Sequence, residues 1–209
     1  MLKKPLITAA AIGAFSTSVW GEGETFDHVV VNPPAEGSVS VEQGLEAWSR
    51  IFEVASHPRC SNCHVGADNR PMWSGPSYGR TRPHGMNVNA GESRIGVEYV
   101  LCSTCHAQRS EGGNNAPHMA PQVAADWRLA PVEAEWFGKS SDEICNQLRD
   151  PARNGDRDMI DLASHLDHDV ILHWAWNPGG GREAAPYSLQ EHVDDILIWG
   201  VAGMPCAND

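Results

Sequence analysis

Cys60-Ser61-Asn62-Cys63-His64 and, further along, Cys102-Ser103-Thr104-Cys105-His106 decide how this chain is read. Thiols at this spacing can each form a thioether with one vinyl group of a haem, and the next histidine then lies under the iron as proximal ligand. The expectation is two covalent haem c groups, one on Cys60 and Cys63 with His64, the other on Cys102 and Cys105 with His106. Two other uses of such cysteines fit less well. Zinc sites made of two C-x2-C pairs usually separate the pairs by about 15–20 residues, a shorter gap than here, and zinc leaves both histidines unexplained. A thioredoxin-like redox pair needs a βαβ context, and no strand pattern surrounds either motif.

The rest of the composition bounds the problem. The chain has 209 residues, 41% hydrophobic and 20% charged, with a formal charge of −12. One core can be built from this, and 20 Gly with 14 Pro predict a loop-rich one. Nucleic acid is excluded as partner, because a phosphate backbone attracts basic surfaces. No apolar run reaches the roughly 18 residues that span a bilayer, so the mature protein is not expected to cross a membrane. Lys3 and Lys4 precede a short run of apolar and small residues to Trp20, with Val19 and Gly21 at the −3 and −1 positions before Glu22. That is the layout of a secretory signal peptide over residues 1–21. It predicts a periplasmic protein, in a compartment where disulfides persist and haem c is attached. Residues 22–39 read as an extended leader and 40–209 as one domain.

Within that domain, Ser40-Val41-Glu42-Gln43 resembles a capping box, and the apolar spacing after it predicts a helix over 41–56, stopped before Pro58. Residues 57–92 read as irregular, 95–106 as a short helix, and 107–139 as mostly loop. Ser140-Ser141-Asp142-Glu143 caps a short helix expected over 141–149, ahead of Pro151. Another is expected over 157–172, with Met159, Leu162, Ala163, Leu166 and Val170 on one face. Ser188-Leu189-Gln190-Glu191 opens a last one, with Val193, Ile196, Leu197 and Val201 inward. Strand-like alternation is nearly absent. Long loops in a compact domain need an organiser, and a large apolar cofactor would serve.

Each iron also wants a distal ligand or an open position. His84, between Pro83 and Gly85, and His168, on the 157–172 helix, are the expected distal ligands, with His57, His118 and His165 as alternates. His28 and His192 are expected to face solvent. Met86, Met119 and Met204 compete, since thioether ligation is equally legitimate. Cys145 and Cys206 remain after the haem cysteines are assigned. An exported chain rarely keeps two free thiols, so these predict a disulfide.

On these residues the chain resembles the small exported dihaem c-type cytochromes, and more narrowly a bacterial group named isoquinoline 1-oxidoreductase subunit. The likeness is carried by His57-Pro58-Arg59-Cys60, Arg82-Pro83-His84, Ala116-Pro117-His118, Leu129-Ala130-Pro131 and Glu143-Ile144-Cys145. It continues in Asp150-Pro151-Ala152-Arg153-Asn154-Gly155, His165, His168-Asp169, and Trp176-Asn177-Pro178-Gly179 with Gly181-Arg182. The haem motifs stand too close for two independent single-haem domains. A mainly α, loop-rich fold is therefore expected, a cytochrome c-like single core around both haems with few or no strands.

The group's name implies association with a molybdenum hydroxylase. This chain has no sign of a molybdopterin site and lacks the C-x4-C-x2-C spacing of an iron–sulfur partner. The resemblance thus implies an acceptor of electrons from such a dehydrogenase, passing them on to membrane electron-transfer components, rather than the hydroxylase itself. The competing readings are a dihaem peroxidase-like enzyme and a haem-based ligand sensor, each with one open iron.

Overall fold

The computed structural model describes residues 28–74, 80–97, 100–106, 123, 127–179 and 181–208. The signal peptide read at 1–21, the start of the leader, His118 and Met119 lie outside these.

Helix formation follows the caps. The Ser40 hydroxyl accepts from the Gln43 amide while the Gln43 side chain accepts from the Ser40 amide, and helix α1 runs Val41–Ser56. His57 turns extended, as a residue before proline must. Pro58, at the first helical position, where its missing N–H costs nothing, opens the one-turn helix α2, Pro58–Ser61. The same reciprocal box, Ser140 with Glu143, starts α4 (Ser141–Leu148), and Ser188 with Glu191 starts α8 (Leu189–Val201). Between them lie α5 (Pro151–Asn154), α6 (Met159–His168) and α7 (Val170–Trp176). The one-turn helix α3 spans Cys102–Cys105. Two short antiparallel ladders, β1 (Met72–Trp73) with β2 (Arg82–Pro83) and β3 (Gly96–Val97) with β4 (Val100–Leu101), and two 3-10 turns at Gly85–Asn87 and Val132–Ala134 accompany them. The protein is mainly α-helical.

The core is a clasp of α1 on α8, with α4 and α6 against it. Ala47, Trp48 and Ile51 meet Val193, Ile196, Leu197 and Trp199, joined by Ile144, Ala163 and Leu166. Trp48 and Trp199 pack with ring centroids 5.2 Å apart, and their indole N–H groups donate to the Ser141 hydroxyl and the Pro205 carbonyl. Each large side chain buried here contributes about 1.5–3 kcal/mol. A Cβ at Gly44 would strike Ala202 and Pro205, so glycine is what lets the two ends of the chain approach. Arg50 spans the clasp with a forked bond to buried Asp195, at 3.1 and 2.9 Å from Nε. Cys145 is joined to Cys206, Cα–Cα 5.9 Å, tying α4 to the segment after α8. A second, smaller cluster of Val65, Ala90 and Leu129 with Cys63, Met72, Trp127 and Phe137 surrounds the first cysteine motif.

Three local expectations are corrected. The helix read over 157–172 is two, because Asp169 takes an extended backbone and caps Ile171 with its carboxylate. In place of a helix over 95–106, Gly96–Val97 pairs antiparallel with Val100–Leu101 ahead of the single turn α3. His192, expected at the surface, is 7% exposed and packs on Trp176, ring centroids 5.6 Å apart. His28 does face solvent, near Asp167.

Candidate functional site

Both cysteine motifs fold as helical turns. The Cys63 and His64 amides donate to the Cys60 carbonyl, and the His106 amide donates to Cys102 at 2.9 Å. Cys60, Cys63, Cys102 and Cys105 are free thiols. Burial, then the neighbouring Cys63, pushes the Cys60 thiol up to about 12. Burial does the same at Cys63, with Cys102 and Asp169 adding to the rise. Redox-active thiol pairs need the opposite, a depressed pKa. Among the described residues no three or more His, Cys, Asp or Glu side chains converge on one point.

His64 is held on its edge and its face. Its Nδ1 lies 2.9 Å from the Ala134 carbonyl, and its ring stacks on Trp136 at 3.5 Å and 8°. The Trp136 and Phe137 amides donate to the His64 carbonyl, and Trp136 Nε1 donates to Gln147. Metal-binding histidines characteristically donate one ring N–H to a carbonyl, which fixes the tautomer and leaves the other nitrogen for the metal. Burial pushes His64 down to about 4, against the pull of the Ala134 carbonyl, with His165 and Arg94 adding to the depression. The ring is therefore neutral at pH 7, the ligating form.

His84 repeats the device. Its Nδ1 lies 2.9 Å from the Gly85 carbonyl, so Nε2 is the nitrogen left over. Its ring centroid is 5.9 Å from that of His106, with the planes at 45°. Two imidazoles held by one metal ion from opposite sides, each at a metal–nitrogen distance near 2 Å, have centroids about 6 Å apart. The residues present are compatible with haem c: thiols on helical turns, a histidine one residue on, and a second imidazole with its ring centroid 5.9 Å away at the second motif.

The other candidates separate. His57 Nδ1 accepts from the Arg59 amide, which puts its proton on Nε2 and makes that nitrogen a donor rather than a ligand. His168 is exposed at the end of α6, with its ring centroid 5.9 Å from that of His165. Of this pair it is His165 that adds to the depression of His64. Met86 is 84% exposed, and Met204 packs on the helical core. Sequence reasoning missed Ala134 and Trp136, which sit in a stretch read only as loop, and Arg94. A backbone carbonyl leaves no side-chain signature, and one arginine in a turn leaves little more.

No family model, no curated protein and no solved structure matches this chain.

Proposed function

We propose that this protein is an exported c-type cytochrome with a cytochrome c-like core around two haems, transferring single electrons in the periplasm between redox protein partners. A molybdenum hydroxylase-type dehydrogenase is the proposed donor, and membrane electron-transfer components the proposed acceptor. The observation that carries the reading is the His84–His106 pair, two imidazoles at metal-sharing distance beside a C-x-x-C-H turn. Cys60, Cys63, Cys102 and Cys105 would hold the two groups covalently, each S–H adding across a vinyl C=C with no change in net oxidation. When bound, haem supplies a reversible one-electron couple without proton release. The chain's own residues do the rest. His64 and His106 would supply the proximal imidazoles. The Ala134 and Gly85 carbonyls hold Nδ1 of His64 and His84, so that each ring presents Nε2. Val65, Leu129, Trp127 and Phe137 line the first motif with apolar surface.

The experiment is mass spectrometry and visible spectroscopy of protein made in a periplasm with the haem-attachment machinery. Two haem additions on a chain that starts near Glu22 are expected, with low-spin spectra. A protein carrying zinc, or no cofactor, overturns the reading. Strong carbon monoxide binding at one ferrous iron would favour an enzyme or sensor over a carrier.

A further inference from the structure

Arg94 sits in a place that an arginine does not easily occupy. It is 5% exposed, and its backbone is left-handed, φ 60°, a conformation uncommon for non-glycine residues. Its guanidinium is caged by uncharged acceptors. Nη1 donates to the Gly66 carbonyl at 3.1 Å and the Asn69 side chain at 2.7 Å, and Nη2 donates to the Val65 carbonyl at 2.8 Å. Nε is buried with no partner among the described residues. Asp68, Glu133 and Glu135 attract it, yet among the described residues none stands within ion-pair distance. A buried cation without a paired carboxylate is costly, and glycine or asparagine would suit the backbone better. The cage explains its position: Val65 and Gly66 are the two residues that follow His64.

We infer that Arg94 is a positioning and potential-setting residue, whose fixed charge raises the reduction potential of the haem held by Cys60, Cys63 and His64. This rests on the haem reading above. Arginine stays protonated throughout the working pH range, so the charge is permanent. The ferric group carries one more positive charge than the ferrous group. A cation held nearby in a poorly screened interior disfavours the ferric form, and reduction takes up one electron with no proton required. The hydrogen bonds to Val65 and Gly66 also fix the chain directly after the ligand.

The test is a redox titration of the two-haem protein followed by its visible spectrum. Arg94→Gln is expected to move one of the two potentials downward and leave the other in place. The potential that moves should belong to the haem whose spectrum His84→Ala leaves unchanged. Arg94→Lys, which keeps the charge, should retain most of the original potential. Should Arg94→Gln fail to fold, Asn69→Asp keeps the guanidinium and neutralises it with a carboxylate at the same hydrogen bond, and the same downward shift is expected. Unchanged potentials in the folded variants, equal shifts of both haems, or a fall in Arg94→Lys as large as in Arg94→Gln would each overturn the inference. A wild-type protein without two covalent haems fails at an earlier step, and overturns the haem reading with it.

Discussion

Asn62 and His84 are bonded to opposite ends of a single peptide unit. The Met72 amide donates to the Asn62 carbonyl at 2.8 Å, and the carbonyl of the preceding Pro71 accepts from the His84 amide at 2.9 Å. Asn62 lies inside the first cysteine turn, and His84 stands opposite the histidine of the second. The unit joining them is planar and rigid, so the two candidate sites share one mechanical link.

Met72→Pro removes the donor half of that link and Met72→Leu keeps it. In the proline variant His84 should lose its placement, which ferrous carbon monoxide binding reports as an increase over wild type. The leucine variant should behave as wild type. Equal behaviour of the two would show that the link does not position His84.

Removing the imidazole itself is the more direct experiment. His84→Ala should open one ferrous haem to carbon monoxide while mass spectrometry still finds both groups attached, because the four thioether cysteines are untouched. A variant that stays closed and fully low-spin would assign the opposing ligand elsewhere, with His165 next in line.

The cysteine bridge has a stability consequence. Cys145 is fully buried and Cys206 nearly so, 61 residues apart in sequence. Closing a loop of that length constrains the unfolded chain by about 4 kcal/mol in the entropic picture, and measured values commonly fall between about 2 and 4. The Cys145→Ala/Cys206→Ala double variant should lose that much in denaturant unfolding and keep its haem content. Thiol titration of the denatured, unreduced wild type should find no free cysteine.

His192 gives a pH dependence with a definite sign. Burial holds it down to about 4, whereas the unfolded chain titrates near 6.5. Above pH 6.5 both states are neutral there and stability does not respond. Between about 6.5 and 4 the unfolded state takes up a proton that the fold refuses, so stability falls as pH falls, by about 3 kcal/mol across the window. His192→Gln should flatten this part of the curve relative to wild type. Parallel curves would show that the buried ring is not the group responsible.

Legibility in the sequence followed locality. Ser40, Ser140 and Ser188 announced their helices because a capping box is a local bargain between residues three apart, and the structure forms all three. The break at Asp169 was hidden because Leu166 and Val170 keep helical spacing across it. Only the capping of Ile171 by the Asp169 carboxylate reveals the new start. His192 misled for a different reason: α8 is covered on more than one side, and nothing within its own sequence says that Trp176 lies over it. At the candidate site the two C-x-x-C-H stretches stand out by spacing, and Pro83 and Gly85 single out His84. The Ala134 carbonyl, the Trp136 face and the Arg94 cage come from residues remote in sequence, where no periodicity connects them to the motif.

The unequal burial of the two cysteine turns sets an order of assembly. Cys60 lies in α2, buried directly behind α1, whereas the α3 turn buries none of its residues. An attachment enzyme needs to reach a thiol before the fold covers it. On the haem reading, the first turn would have to be loaded before α1 packs over it, whereas the second would stay reachable afterwards. Maturation that runs late should leave a characteristic product, a folded, disulfide-closed chain with a single haem, on Cys102 and Cys105.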